Sequence, residues 1–153
     1  MRHQNSGRRL GRNSSHRNAL FNNLVTALVA RGQIETTEAK AKELRMFAEP
    51  VLQIGIDVLP LINKGDKATK EEKAKIVAAK RAARKVLRPP TAPRDLSPSA
   101  LAAWRLENPD AMARLFGEVA QGLAKRKAGY TRVLKSRIRK GDAGSMAIVT
   151  LVA

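Results

Sequence analysis

The first carboxylate in this chain is Glu35, and the stretch before it holds Arg2, Arg8, Arg9, Arg12, Arg17 and Arg31. From Lys125 to Lys140 eight further bases occur (Lys125, Arg126, Lys127, Arg132, Lys135, Arg137, Arg139 and Lys140), again with no acid among them. These strips dominate a formal net charge of +17 in 153 residues. Such a surplus repels itself in any compact state, so the fold is expected to come with a polyanion that relieves it. With 43% apolar residues the chain can still build a core, and its length suits a single domain over residues 1–153.

The chemistry left open is narrow. There is no cysteine, hence no disulfide or thiolate metal site, and two histidines make a poor ligand set, so no metal is expected. No phosphate-binding Gly-Lys loop, HExxH helix or GxSxG elbow occurs. Ser14, Ser15 and His16 are adjacent, but no carboxylate lies near them in the sequence to orient an imidazole. The chain therefore reads as a binding protein rather than an enzyme, with no cofactor and no small-molecule substrate. The apolar run 51–62 is broken by Gln53, Gly55, Asp57 and Pro60, which argues against a membrane span. The aromatics are Phe21, Phe47, Trp104, Phe116 and Tyr130, most of them in apolar helical patterns. Stacking on unpaired bases is thus disfavoured, leaving recognition of backbone and shape by Arg and Lys.

Residues 1–12 read as a flexible basic arm in which Gly lets the backbone approach a phosphate and Arg forks onto its oxygens. Leu20, Phe21, Leu24, Val25, Leu28 and Val29 then form one helical stripe, with Asn13 or Ser14 as N-cap and Gly32 beyond the end. A short β-prone piece, 34–37, precedes a second helix capped by Thr36 or Thr37 and striped by Ala41, Leu44, Phe47, Ala48, Val51 and Leu52. Pro50 is expected to kink or end it. Its acids outnumber its bases, which suggests a structural role.

Residues 55–108 read as an extended helical and Pro-rich insertion. Thr69 with Glu72 forms a capping box, and ten bases against three acids run from Lys64 to Arg88. Ser97-Pro98 opens a short helix, and Asn108-Pro109 repeats that signature before a stripe of Met112, Leu115, Phe116, Val119 and Leu123. Residues 129–153 read as a C-terminal β-hairpin, with strands 130–138 and 146–152 joined by the turn 140–144. Arg132, Lys135, Arg137 and Arg139 are expected to alternate outwards while Val133 and Leu134 anchor the sheet.

Charge alone leaves several readings open. The first 34 residues fit a solvated tail or an organellar transit peptide as well as a nucleic-acid arm. The basic helix after Thr69 could lie on an anionic membrane, although it carries no Trp or Phe to seat there. A nucleoid-type DNA packager is the alternative binding protein.

Longer motifs narrow the choice. Met1-Arg2-His3, Gly7-Arg8-Arg9-Leu10, Arg12-Asn13-Ser14-Ser15-His16-Arg17 and Ala19-Leu20-Phe21 resemble the opening of the bacterial large-subunit ribosomal protein L-seventeen family. Ile34-Glu35-Thr36-Thr37, Ala39-Lys40-Ala41-Lys42-Glu43-Leu44-Arg45, Leu115-Phe116, Gly129-Tyr130-Thr131-Arg132-Val133-Leu134-Lys135 and Gly141-Asp142 with Met146-Ala147 follow in the same order. The resemblance covers about residues 1–54 and 108–153. It implies an α+β domain with a small mixed three-stranded sheet packed by helices. It also implies a cytoplasmic, ribosomal location in large-subunit RNA near the nascent-chain exit, among neighbouring ribosomal proteins and away from membrane. Carried onto this chain, the RNA-binding residues would be Arg2, His3, Arg8, Arg9, Arg12, Asn13, Ser14, Ser15, His16 and Arg17, then Lys40, Lys42 and Arg45, then Arg132, Lys135, Arg137, Arg139 and Lys140. Gln4, Asn5, Asn18 and Asn22 stand where the family often has bases, and Gly144-Ser145 replaces its usual Ala-Pro.

Overall fold

A computed structural model describes residues 7–95 and 97–152 of the chain, so Arg2 and His3 lie outside the described residues. Helix α1 (Ser14–Arg31) begins at Asn13, whose side-chain oxygen accepts the His16 N–H at 2.9 Å. It ends at Gly32, which takes the left-handed φ of 79° and donates its N–H to the Leu28 carbonyl. Only glycine enters that conformation without a Cβ penalty. The expected stripe supplies Phe21, Val25, Leu28 and Val29 to the core, with Leu20 and Leu24 half-buried.

Strand β1 (Gln33–Thr37) leads directly into helix α2 (Glu38–Asn63). Thr37 holds the N-cap position, but its side chain makes no capping bond, and Thr36 is buried in the strand. Pro50 does not end this helix, nor does Pro60. Each proline removes one helical hydrogen bond, yet both sit on the solvent side, where water can satisfy the freed carbonyl. Burial of Val51, Leu52, Val58 and Leu59 across the same turns offsets the loss. By length and composition α2 could cross a bilayer, but Ala41, Leu44, Ala48, Val51 and Leu52 are spent in the protein's own core. Phe47 stacks on Phe21 of α1 with ring centroids 4.1 Å apart, so these aromatics are packed together rather than offered to bases.

A 3-10 turn (Gly65–Lys67) reverses the chain into helix α3 (Lys70–Arg84). The capping box forms: Thr69 Oγ1 accepts the Glu72 N–H, and the Thr69 N–H donates to Glu72 Oε2 at 2.9 Å. α3 packs on α2, and Ala83 and Leu87 join the same core as Phe21 and Leu52. Part of the segment 55–108 therefore walls the core. Helix α4 (Pro98–Glu107) starts at Ser97 with Pro98 in its first turn.

Asn108 does not cap the next helix. It closes α4, its Nδ2 donating to the Trp104 carbonyl at 2.9 Å, while Asp110 accepts the Met112 N–H and opens α5 (Ala111–Arg114). The expected single helix is also interrupted. A π-helical stretch, Leu115–Val119, with non-helical dihedrals at Gly117, separates α5 from α6 (Ala120–Leu123). This segment crosses α2 at very short range: a Cβ on Gly55 would meet Leu115 Cδ1 at 2.9 Å and the Leu115 carbonyl oxygen at 3.1 Å. Gly55 is what lets the two backbones approach.

Strands β2 (Thr131–Ile138) and β3 (Ser145–Leu151) form the hairpin, and the sheet order is β1-β3-β2. The fold is α+β with three strands, but the sheet is antiparallel throughout, not mixed. The reason is the position of β3. The most apolar strand takes the centre, and β1 and β2, which run the same way, never touch. Val149 pairs with Ile34 and Val133, and Ala147 with Thr36 and Lys135, on the face that meets the helices. The opposite face carries Glu35, Arg132, Leu134, Ile148 and Thr150.

Candidate nucleic-acid interface

Three stretches far apart in sequence converge at the start of α2. Arg8 from the basic arm, Thr37, Glu38, Ala39 and Lys42 from the head of α2, and Arg139, Asp142, Gly144 and Ser145 from the hairpin line one open groove of about 480 Å³. Residues 7–12 reach it by turning back on the platform. The Arg12 N–H donates to the Arg9 carbonyl at 3.1 Å, Leu10 packs against the core at a left-handed φ of 54°, and Arg8 Nε stands 3.7 Å from Glu43 Oε1.

The groove's cations are held by acids. Lys42 bonds Glu38 at 2.7 Å, one helical turn away. That hydrogen bond and charge, with the more distant charges of Lys135 and Arg8, keep the Glu38 carboxyl below its ordinary pKa. Arg139 grips Asp142 with Nε (2.7 Å) and Nη2, and the Gly144 N–H adds a third donor. Asp142 is lowered to about 2 as a result, and Arg139 is raised. On the other sheet face Arg137 donates to Glu35 through Nε (3.2 Å) and Nη2 (3.4 Å), and Ser136 Oγ donates to the same carboxylate. Exposed pairs of this kind add little stability. Their consequence is orientation. Arg137 and Arg139 each use Nε and Nη2 on a carboxylate, so the Nη1 hydrogens remain open for a second anion.

The hairpin bases Arg132, Lys135, Arg137 and Arg139 are all exposed, as expected, but they do not share one face of the sheet. A β-bulge between Lys135 and Ile138 inserts one residue into β2. Lys135, before the bulge, shares the helix-facing side with Val133 and Ala147, where its charge reaches Glu38, whereas Arg137, within the bulge, turns to Glu35. An extra residue in one strand shifts the two-residue period and re-aims every side chain beyond it. Leu134, expected to anchor the sheet, is half exposed on its open face.

Other proposed contacts have local tasks. Arg12 donates to the Leu10 carbonyl at 2.8 Å and to His16 Nε2 at 3.3 Å, and Ser15 Oγ donates to Asn13 Oδ1. Arg12, Asn13, Ser15 and His16 thus build the entrance of α1, with Ser14 exposed in the first turn and Arg17 half-buried. Arg45 pairs with Glu49 at 2.8 Å and lines a separate groove of about 370 Å³ beside Lys127 and Tyr130. Among the described residues Arg9, Arg17, Lys40, Arg132, Lys135 and Lys140 form no ion pair with an acid. No group of three metal-ligating side chains occurs among them either.

Sequence reasoning missed the acids. Glu38–Lys42 and Arg45–Glu49 could have been read from their i,i+4 spacing, and Arg139–Asp142 from its place in a turn. Arg8–Glu43 and Arg137–Glu35 join remote segments, and nothing local announces them.

Comparison with known proteins identifies the family. The family model described as ribosomal protein L17 matches residues 20–152. The chain is 38% identical to the large ribosomal subunit protein bL17 of Desulfotalea psychrophila over 152 residues, covering 99% of this chain and 90% of the relative. It is 36% identical to the bL17 protein of Pelobacter propionicus, covering 99% and 91%. Both similarities run through residues 55–108. The chain belongs to the ribosomal protein L17 family, whose members are structural components of the large ribosomal subunit and not enzymes.

Proposed function

We propose that the chain fastens large-subunit ribosomal RNA by clamping backbone phosphates where the arm, α2 and the hairpin meet. The observation that carries this reading is the convergence of Arg8, Lys42 and Arg139 from three remote segments on one groove. The acids beside them hold each cation in place, and phosphate oxygens take the remaining donors as charge-assisted bonds. The apolar helices supply rigidity, so the clamp closes on folded RNA without being ordered first. Arg9 and Lys140, adjacent in sequence to the groove's bases, add charge there. Arg17 and Arg132 supply charge elsewhere on the molecule, and Asn13 caps α1 with Ser14 exposed in its first turn. A place near the nascent-chain exit, among neighbouring ribosomal proteins, belongs to the same proposal and rests on family resemblance. The protein is ribosome-associated in the cytoplasm. Packaging of chromosomal DNA draws no support from such a family.

The decisive test replaces Arg8, Arg9, Arg12 and Arg17 together by Gln in a tagged copy and follows it through sedimentation of large subunits. Loss of co-sedimentation is expected, and crosslinks from the remaining bases should map to large-subunit RNA. Untouched incorporation would overturn the clamp. With about eight phosphates held on duplex-like RNA, log K should fall against log salt with a slope of roughly −7. A slope near −2 would contradict the mechanism.

A further inference from the structure

α3 carries charge in a different way. Lys70, Lys73, Arg81 and Arg84 fall at helical intervals that place them, with Val77, along one exposed stripe. The opposite side holds Ile76, Ala79 and Ala83, which turn towards α2. Among the described residues none of the four cations makes an ion pair, and the nearby Glu72 is engaged by Lys64. Glu71 is the only other acid on this helix. From Lys70 to Arg84 the stripe is about 21 Å long, and Lys85, exposed just past the helix end, adds a further base. α2 holds the Lys70 end of this stripe well apart from the hairpin groove, and α3 then runs back along α2, which brings Arg84 nearer to it. At 26 residues α2 is about 39 Å long, with the groove at its first turn and α3 beginning beyond its last.

We infer that this outer face of α3 is a second, separate surface for double-stranded RNA, so that one chain bridges two RNA segments. The inference rests on the proposed phosphate clamp and assigns it a partner face. A rod of unpaired Lys and Arg complements the closely spaced phosphates of a duplex, and side chains free of acid partners can adjust to them. Val77 is the one large apolar residue exposed on the helix and no aromatic lies there, too little to seat the helix in lipid or to stack unpaired bases. Duplex RNA is recognised by backbone and shape, which this stripe can read.

The test uses the intact chain and two short RNA duplexes, one labelled with a donor dye and one with an acceptor. The unaltered chain should bring the dyes together. The variant K70Q/K73Q/R81Q/R84Q should lose that energy transfer while still binding one duplex, and its salt slope should shrink by about 3 to 4. All four side chains are exposed, so far-ultraviolet circular dichroism should not change. R81K/R84K should keep the bridge, because charge rather than fork geometry is used. Bridging that survives the four-fold variant, or an unaltered slope, overturns the inference and leaves the groove standing. So does a variant that loses flotation with phosphatidylserine vesicles but keeps the bridge, since the stripe would then serve lipid. If the unaltered chain binds neither duplex, the clamp and its second face fail together.

Discussion

At the head of α2, Arg8, Lys42 and Arg139 each lean on a carboxylate, whereas on α3 Lys70, Lys73, Arg81 and Arg84 lean on none among the described residues. Both regions are cationic, but they spend charge differently. In the groove part of the positive charge is cancelled to fix where the donors point, which suits a partner of defined shape. On α3 the charge is kept whole on flexible stems, which suits attraction with little geometric demand and strong dependence on salt. The lesson is that a base count cannot separate the two; the position of the nearest acid does.

The largest effect that would break the contrast comes from the helix both regions share. Leu52→Ala, at a fully buried site of α2, should cost about 2–5 kcal/mol in urea unfolding and weaken groove and α3 together. Preserved α3 binding in that variant would mean that α3 does not depend on the common core. Next, Thr69→Ala removes the hydroxyl half of the α3 capping box and should cost about 0.5–2 kcal/mol. Hydrogen exchange should rise in α3 and stay unchanged in the hairpin, which separates the regions by stability. Glu35→Gln should change stability by less than about 1 kcal/mol, because its pair with Arg137 is exposed. Yet RNA affinity should fall by about two- to five-fold despite the added positive charge, since Arg137 loses its orientation. A rise in affinity would show that the acid merely subtracts charge.

The smallest effect is a titration. Asp142 has its folded pKa depressed to about 2, below its ordinary 3.8, first by the Arg139 hydrogen bond and then by the Gly144 N–H. A depressed carboxylate contributes stability that is complete above the unfolded pKa and fades as pH falls through the folded one. The hairpin pair should therefore be intact at pH 5 and lost only near pH 2. Carbon NMR of the Asp142 carboxyl checks this, and Arg139→Gln should move its midpoint up towards the ordinary value.

Much of the fold was legible because its signals are local. The cap at Asn13, the left-handed Gly32, the Thr69 box and the hairpin strands each depend on a few neighbouring residues, and each formed as expected. The departures arise where tertiary packing overruled a local rule. Pro50 failed to stop α2 because buried side chains continue past it. Asn108 lost its cap to Asp110, two residues on. The helix of Leu115 broke into a π stretch where it passes Gly55. In the interface, the cationic strips were visible as composition, and i,i+4 partners could be read from spacing. The bulge in β2 and the carboxylates Glu35 and Glu43, which come from other elements, could not.

By itself the sequence determined a cationic α+β protein of one core, the capped helices that frame it, and the family to which its motifs belong. Those properties follow from charge, periodicity and short-range backbone chemistry, all of which are local or additive along the chain. Only the tertiary structure decided which bases stand together, which are tethered by acids, and which are left bare on α3. Electrostatic pairing depends on distance in space, and the distances from Arg8 to Glu43 and from Arg137 to Glu35 exist only once the chain has folded.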